Sequence, residues 1–137
     1  LAAEEETILS RFGQENPLDT LESVLTGAEI LDLRKLCRRV FVEPSVAAYL
    51  VAVTRATRVH PDVQLGASPR ASLGLHLATQ ALAATRGRNY ILPDDIKALA
   101  VHILAHRLIL KPEARLRGRT EKTVIEEILG TVPVPVD

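Results

Sequence analysis

Hydrophobic positions along the chain recur at spacings of three and four residues, which predicts helices separated by short breaks. Ile8, Leu9 and Phe12 follow Glu4, Glu5 and Glu6, whose charges suit a helix N-terminus, and Gly13 ends a first short helix at about Phe12. Residues 14–19, with Asn16-Pro17, read as a loop, and Leu18, Leu21, Val24 and Leu25 leave room for a short helical turn. Thr26-Gly27-Ala28-Glu29 is a capping box. The helix it starts puts Ile30, Leu33, Cys37 and Val40 on one face and Leu36 at its margin, with Asp32, Arg34, Lys35, Arg38 and Arg39 facing outward. Cys37 therefore reads as a buried structural thiol.

Glu43-Pro44 starts a third helix, with Val46, Tyr49, Leu50, Val53 and Thr57 at helical spacing to about Arg58. Ser68-Pro69 starts a fourth. Its line Leu73, Leu77, Ala81, Ala84, flanked by Leu75, Ala78 and Leu82, makes it apolar over more than half its circumference, so it is expected to be central, with Gly87 as its stop. Pro93-Asp94-Asp95 opens a fifth, continued by Ile96, Leu99, Ala100, Ile103 and Leu104. Thr120 caps the last, with Val124, Ile125, Ile128 and Leu129 inward and Gly130 as terminator; Pro133 and Pro135 keep the tail from being helical. The β-prone runs 40–42 and 89–92 are expected to pair as a very short two-strand clip. Residues 60–67 read as a loop, 108–110 as an extended segment and 111–119 as an exposed, mobile loop. The expected fold is all-α, a bundle of five to six helices.

Composition changes little in that picture. With 137 residues, 47% apolar and 25% charged, the chain fits one globular domain with a core of its own, too small for a complete nucleotide-hydrolysing machine. Seventeen basic and seventeen acidic residues cancel, so bulk electrostatics point to neither nucleic acid nor an anionic membrane. One cysteine excludes an internal disulfide framework and fits a reducing compartment. No signal segment and no apolar run near the roughly 18 residues of a membrane span is found, so a cytoplasmic protein is expected. The chain starts at Leu1 almost directly in a helical pattern, as a piece of a longer protein would.

Among chemically suggestive residues, Arg70 stands out. It falls in the first turn of the fourth helix, where the unpaired N–H groups already carry positive partial charge, so a cation there is unfavourable unless an anion offsets it. A helix start with an added guanidinium suits a phosphate. The other candidates have simpler explanations. His102 and His106 share a helix face, yet Glu does not follow the first histidine and no third ligand is spaced for zinc, so no metal site is expected. Asp94 and Asp95 are explained by the helix dipole rather than as an acid pair. The cation clusters Arg34, Lys35, Arg38, Arg39 and Arg115, Arg117, Arg119, Lys122 are interleaved with Glu29, Asp32, Glu113, Glu121, Glu126 and Glu127, which favours a salt-bridged solvent face or a subunit interface over nucleic-acid binding. No glycine-rich loop ending in Gly-Lys-Ser or Gly-Lys-Thr occurs, nor a strand ending in paired acidic residues for magnesium. The chain by itself is not a complete P-loop ATPase.

The ordered set Ala56-Thr57-Arg58, His60-Pro61, LGASPRA at 65–71, Gly87-Arg88-Asn89-Tyr90, Pro93-Asp94-Asp95 and His106-Arg107-Leu108 resembles the C-terminal lid of the MoxR family of AAA+ ATPases, over nearly all of residues 1–137. The resemblance implies that Arg70 is the sensor 2 residue, a catalytic group that reaches nucleotide phosphates. Gly66, Ala67, Ser68, Pro69 and Arg70 would form the nucleotide-binding segment, Ser68 and Pro69 fixing the helix start and Gly66 and Ala67 permitting close approach. It further implies ATP and magnesium as cofactors of a full-length protein whose N-terminal P-loop α/β domain is absent here, with none expected for the isolated lid. That protein would hydrolyse ATP in a homo-oligomeric ring, a hexamer, and remodel or activate partners in a chaperone-like way, including proteins with a von Willebrand factor A domain. The His106-Arg107 pair reads as structural, outside the nucleotide site. The alternative is a stand-alone helical module that binds protein or nucleic acid without nucleotide.

Overall fold

The computed structural model describes residues 2–13 and 16–135. It separates into two compact units, Leu1–Asp32 and Leu33–Asp137.

The first unit holds α1 (Ala2–Phe12), a 3-10 turn at Pro17–Thr20 and the start of α2 (Gly27–Cys37). The turn confirms a short helical element in this stretch; the part of the expected loop at residues 14–15 lies outside the described residues. Asn16 Oδ1 accepts the Leu18 N–H at 3.2 Å. The capping box forms as expected: the Glu29 N–H donates to Thr26 Oγ1 at 3.2 Å and the Thr26 N–H to Glu29 Oε2 at 2.6 Å. The Thr26 N–H, together with the Thr26 hydroxyl, which donates to Glu29 Oε2 at 2.8 Å, holds the Glu29 carboxyl below its ordinary range. The inward face expected of α2 is a correction. None of its residues is buried, Ile30, Leu33 and Leu36 are exposed, and Cys37 is only half-buried. The apolar stripe is present in the sequence, but only Val40, beyond the helix end, joins the core.

The second unit continues with α3 (Pro44–Val59), β1 (Val63–Leu65), α4 (Pro69–Thr85), α5 (Pro93–Leu104), a 3-10 turn (Ala105–Arg107), β2 (Ile109–Leu110), α6 (Pro112–Leu116) and α7 (Glu121–Thr131). Helices α3 to α6 each begin with proline, where no N–H is needed and φ is already suitable. α3, α4, α5 and α7 surround the core, with Leu50, Val53, Leu75, Ile96, Leu104 and Ile125 among its large buried side chains. α4 and α5 pack most extensively, and they run antiparallel. A Cβ built on Gly74 would sit 3.9 Å from Ile103 Cγ2, while Arg86 just past α4 reaches Asp95 near the start of α5.

The all-α class holds, with seven α-helices among the described residues. The additional one, α6, occupies the segment read as a mobile loop; its Ala114 is fully buried. The expected clip reduces to one parallel bridge, in which the Phe41 N–H donates to the Asn89 carbonyl at 2.7 Å and the Ile91 N–H to the Phe41 carbonyl at 3.1 Å. The two-stranded sheet is elsewhere. β1, inside the segment read as a loop, pairs antiparallel with β2, Val63 opposite Leu110 and Leu65 opposite Ile109. Gly87 does stop α4, at φ +71°, with the Gly87 and Arg88 N–H groups returning to the Ala84 and Ala83 carbonyls. Gly130 does not stop α7, which runs to Thr131.

Candidate functional site

The fourth helix starts where expected, with Ser68 at the N-cap and Pro69 in the first turn, yet Ser68 makes no side-chain capping bond. What holds the start of α4 is the last turn of α3. Ala67 is completely buried; its N–H donates to Thr57 Oγ1 at 3.0 Å, and its carbonyl accepts from Arg58 Nε at 2.7 Å. Thr57 in turn donates to the Thr54 carbonyl at 2.6 Å, so its hydroxyl is used in both directions. Gly66 completes the junction by close approach. A Cβ there would lie 2.6 Å from Arg58 Cα and 2.8 Å from the Thr57 carbonyl carbon. Gly66 and Ala67 thus use their small size to seat the chain on the α3 backbone.

Ser68, Pro69 and Arg70 are the exposed part of the segment. Among the described residues, Arg70 makes no hydrogen bond or ion pair. Neither α3 nor α4 contains a single Asp or Glu, and the only charged side chains on them are Arg55, Arg58 and Arg70. Along α3 and α4 themselves the cations thus meet no carboxylate, while Asp62 in the connection between them is taken up by Arg117 and Arg119. The start of α4 combines the N–H groups of a helix start with a guanidinium whose charge has no internal partner, an arrangement suited to phosphate oxygens.

The other candidates resolve differently. Arg115, Arg117 and Arg119 meet Glu121, Asp62, and Asp62 with Glu127, respectively, and Lys122 lies 3.8 Å from Glu126. That cluster is a salt-bridged face, built partly from the interleaved Glu121, Glu126 and Glu127 and partly from Asp62, which lies far off in sequence. His102 and His106 are both exposed, and His106 Nε2 accepts from Arg107 Nε at 3.1 Å. Asp94 is exposed beside Lys97, but Asp95 is 1% exposed, a placement the dipole explanation did not foresee. Asp95 Oδ1 receives Arg86 Nη1 at 2.8 Å and Arg88 Nη2 at 2.7 Å, while Oδ2 receives Arg88 Nη1 at 2.8 Å and the Leu92 N–H at 2.9 Å. Burial acts to raise its pKa, and these donors and charges outweigh it and hold the carboxyl below its ordinary range.

Thr57 was legible as a position on the helical line of α3 and, with Arg58, as a member of the ordered motif set, but neither was readable as a fastener of Ala67. A cation in the last turn of α3 already suits the helix dipole, and that local fit conceals the bond from Arg58 to Ala67 nine residues on.

Residues 55–128 match the family model of the AAA lid domain. The chain is similar to the uncharacterized protein YeaC of Bacillus subtilis, at 40% identity over 97% of this chain and 42% of YeaC. It is also similar to the chaperone MoxR1 of Mycobacterium tuberculosis, at 35% identity over 96% of this chain and 37% of that protein. Among solved structures, a candidate ATPase from Cytophaga hutchinsonii aligns with a TM-score of 0.88 at 29% identity, covering 96% of this chain and 43% of that one. The chain thus spans about two fifths of the length of these relatives.

Proposed function

The chain belongs to the AAA lid domain family, as found in MoxR-type AAA+ ATPases, and on that premise we propose that Arg70 is its sensor 2 arginine. The observation that carries this reading is the unpaired guanidinium in the first turn of α4, on a segment fastened to α3, with no carboxylate on either of those two helices. ATP with magnesium is held by a P-loop α/β domain of the full-length protein; the fragment has no such loop of its own. Arg70 donates paired N–H groups to the terminal phosphate oxygens, stabilising charge that develops there during hydrolysis. When that phosphate leaves, the arginine loses its partner and the lid moves as a rigid body, the kind of amplification packed helices permit.

The full-length protein on this reading is a cytoplasmic ATP hydrolase assembled as a homo-oligomeric ring, a hexamer, with chaperone-like action on partner proteins, including those with a von Willebrand factor A domain. The printed description of MoxR1 as a chaperone supports that direction. No helix among the described residues is long and apolar enough to cross a membrane.

The test is Arg70→Ala in the full-length protein. ATP hydrolysis is expected to fall about 100-fold, with the melting temperature of the lid essentially unchanged. Normal hydrolysis together with normal nucleotide-dependent closure would sink the assignment. The isolated chain, offering one side of the site, should give no saturable ATP binding below the millimolar range by calorimetry, about 4 kcal/mol or less of binding free energy.

A further inference from the structure

The sensor arginine needs accurate placement, and the usual device for fixing a helix start is missing: Ser68 caps α4 in position but makes no side-chain bond to the first turn. The direction of that turn is set instead by the two polar groups of Ala67, held by consecutive residues of α3. These two bonds differ in kind. Thr57 Oγ1 is wholly buried and belongs to the core, whereas Arg58 reaches the Ala67 carbonyl from the exposed end of α3. Arg58 is thus the part of the junction nearest the surface, and among the described residues its Nε–H alone fastens the carbonyl of Ala67, three residues before Arg70.

We infer that Arg58 is a positioning residue for Arg70, a proposal that rests on the sensor reading above. Its Nε–H fixes the plane of the Ala67–Ser68 peptide, and this plane sets the entry angle of Pro69 and Arg70. Gly66, lying against the Arg58 backbone, prevents the segment from rotating away. A charge at position 58 is not sufficient for this task. The bond runs from the inner nitrogen of a planar guanidinium, close to the chain, and an ammonium at the tip of a lysine does not reproduce that geometry. Without the bond, Arg70 remains present and charged but samples a wider set of directions, and misplacement on the scale of an ångström lowers a rate that depends on orientation.

The experiment uses the full-length protein with Arg58→Ala, Arg58→Lys, Arg70→Ala and the Arg58→Ala/Arg70→Ala double variant. For each, kcat and KM for ATP are measured alongside the thermal melt. Arg58→Ala should lower kcat about tenfold at temperatures well below the melt, which falls by a few degrees because the Ala67 carbonyl loses its partner, and Arg58→Lys should behave like it. The double variant should be no slower than Arg70→Ala alone, because a residue that acts only through Arg70 has nothing left to position. Wild-type kcat in Arg58→Ala, with Arg70→Ala impaired, overturns the positioning role and leaves the sensor reading standing. A double variant slower than Arg70→Ala, or full rescue by lysine, also overturns it, by showing an independent or purely electrostatic action. Normal hydrolysis in Arg70→Ala overturns the sensor reading itself, and the positioning role with it.

Discussion

At the end of the hairpin where α4 gives way to α5, Arg86 and Arg88 converge on one buried carboxylate. At the other end, where α4 begins and α5 runs out, the Arg70 side chain forms no ion pair among the described residues. The residue type is the same and its circumstances are opposite. Asp95 absorbs two guanidinium groups and the Leu92 N–H, so each charge there is matched, and the short connection between the helices is locked. The opposite end is fastened without any carboxylate, by a threonine hydroxyl, an arginine bonded to a carbonyl, and a glycine against a backbone. One arginine set is occupied by the fold, and the other is left with an unanswered charge. A phosphate sensor has to be of the second kind, since an internal carboxylate would compete with the ligand for the same donors.

The largest effect should come from breaking the matched end. Asp95→Ala removes the acceptor of four hydrogen bonds and leaves two partly exposed cations and the Leu92 N–H without their shared partner. Removing one partner of a buried ionic cluster costs about 3 kcal/mol. Circular dichroism should show the melting temperature falling by about 10 °C. An unchanged melt would mean that the clamp does not hold the hairpin together.

Gly66→Ala probes the other fastening and should be the next largest. No positive φ is required at this position, so the penalty is steric, from a Cβ placed 2.6 Å from Arg58 Cα. Overpacking against backbone that cannot move aside costs about 2 kcal/mol, read from the midpoint of urea unfolding. Substituting Gly27, whose Cβ would meet nothing within 4 Å, should by contrast leave the midpoint almost unmoved.

These two fastenings also show which parts of the fold were legible beforehand. Signals carried by neighbouring residues were readable: the Thr26–Glu29 capping box, proline at the first turn of α3, α4 and α5, and glycine after α4. Signals that depend on distant partners were not. β1 has three residues, and its partner strand follows more than forty positions later, so no local propensity marks it. The inward face of α4 was not singled out, for a different reason. A helix apolar on most sides has no clear phase, and its buried line is Ala71, Leu75, Thr79 and Ala83 rather than the line through Leu73. Two polar residues face the core. Thr79 satisfies its hydroxyl on the Leu75 and His76 carbonyls, and Gln80 donates to the Val40 carbonyl at 2.9 Å. At the candidate site, Arg70 was readable because its conflict with the dipole is local. Arg58 was not, because its partner lies across a turn.

A smaller effect distinguishes the ends by pH. The native Asp95 carboxyl titrates below its unfolded value of about 3.9 because the Arg88 hydrogen bonds, the Leu92 N–H and two nearby cations outweigh its burial. A depressed carboxylate contributes stability that is fully present above the unfolded pKa and is lost as pH falls through the folded one. The wild-type melting temperature should therefore decline as pH is lowered below about 4, whereas Asp95→Asn should start lower and lose less over the same interval. Parallel declines in the two proteins would place the acid sensitivity in other carboxylates.

The smallest effect is the most discriminating, since it compares one substitution at both ends. Arg88→Ala withdraws a guanidinium that makes two bonds to Asp95 and sits 5.8 Å from the Tyr90 ring centre, so the melting temperature should fall. Arg70→Ala withdraws a cation that opposes the α4 dipole and has no partner among the described residues. Its melting temperature should stay level or rise by about 1 °C in low salt, and the rise should fade as salt screens the helix end. A fall comparable to that of Arg88→Ala would show that Arg70 is engaged by the fold. An arginine whose removal steadies the isolated domain, yet impairs nucleotide turnover in the full-length protein, has its use outside the lid.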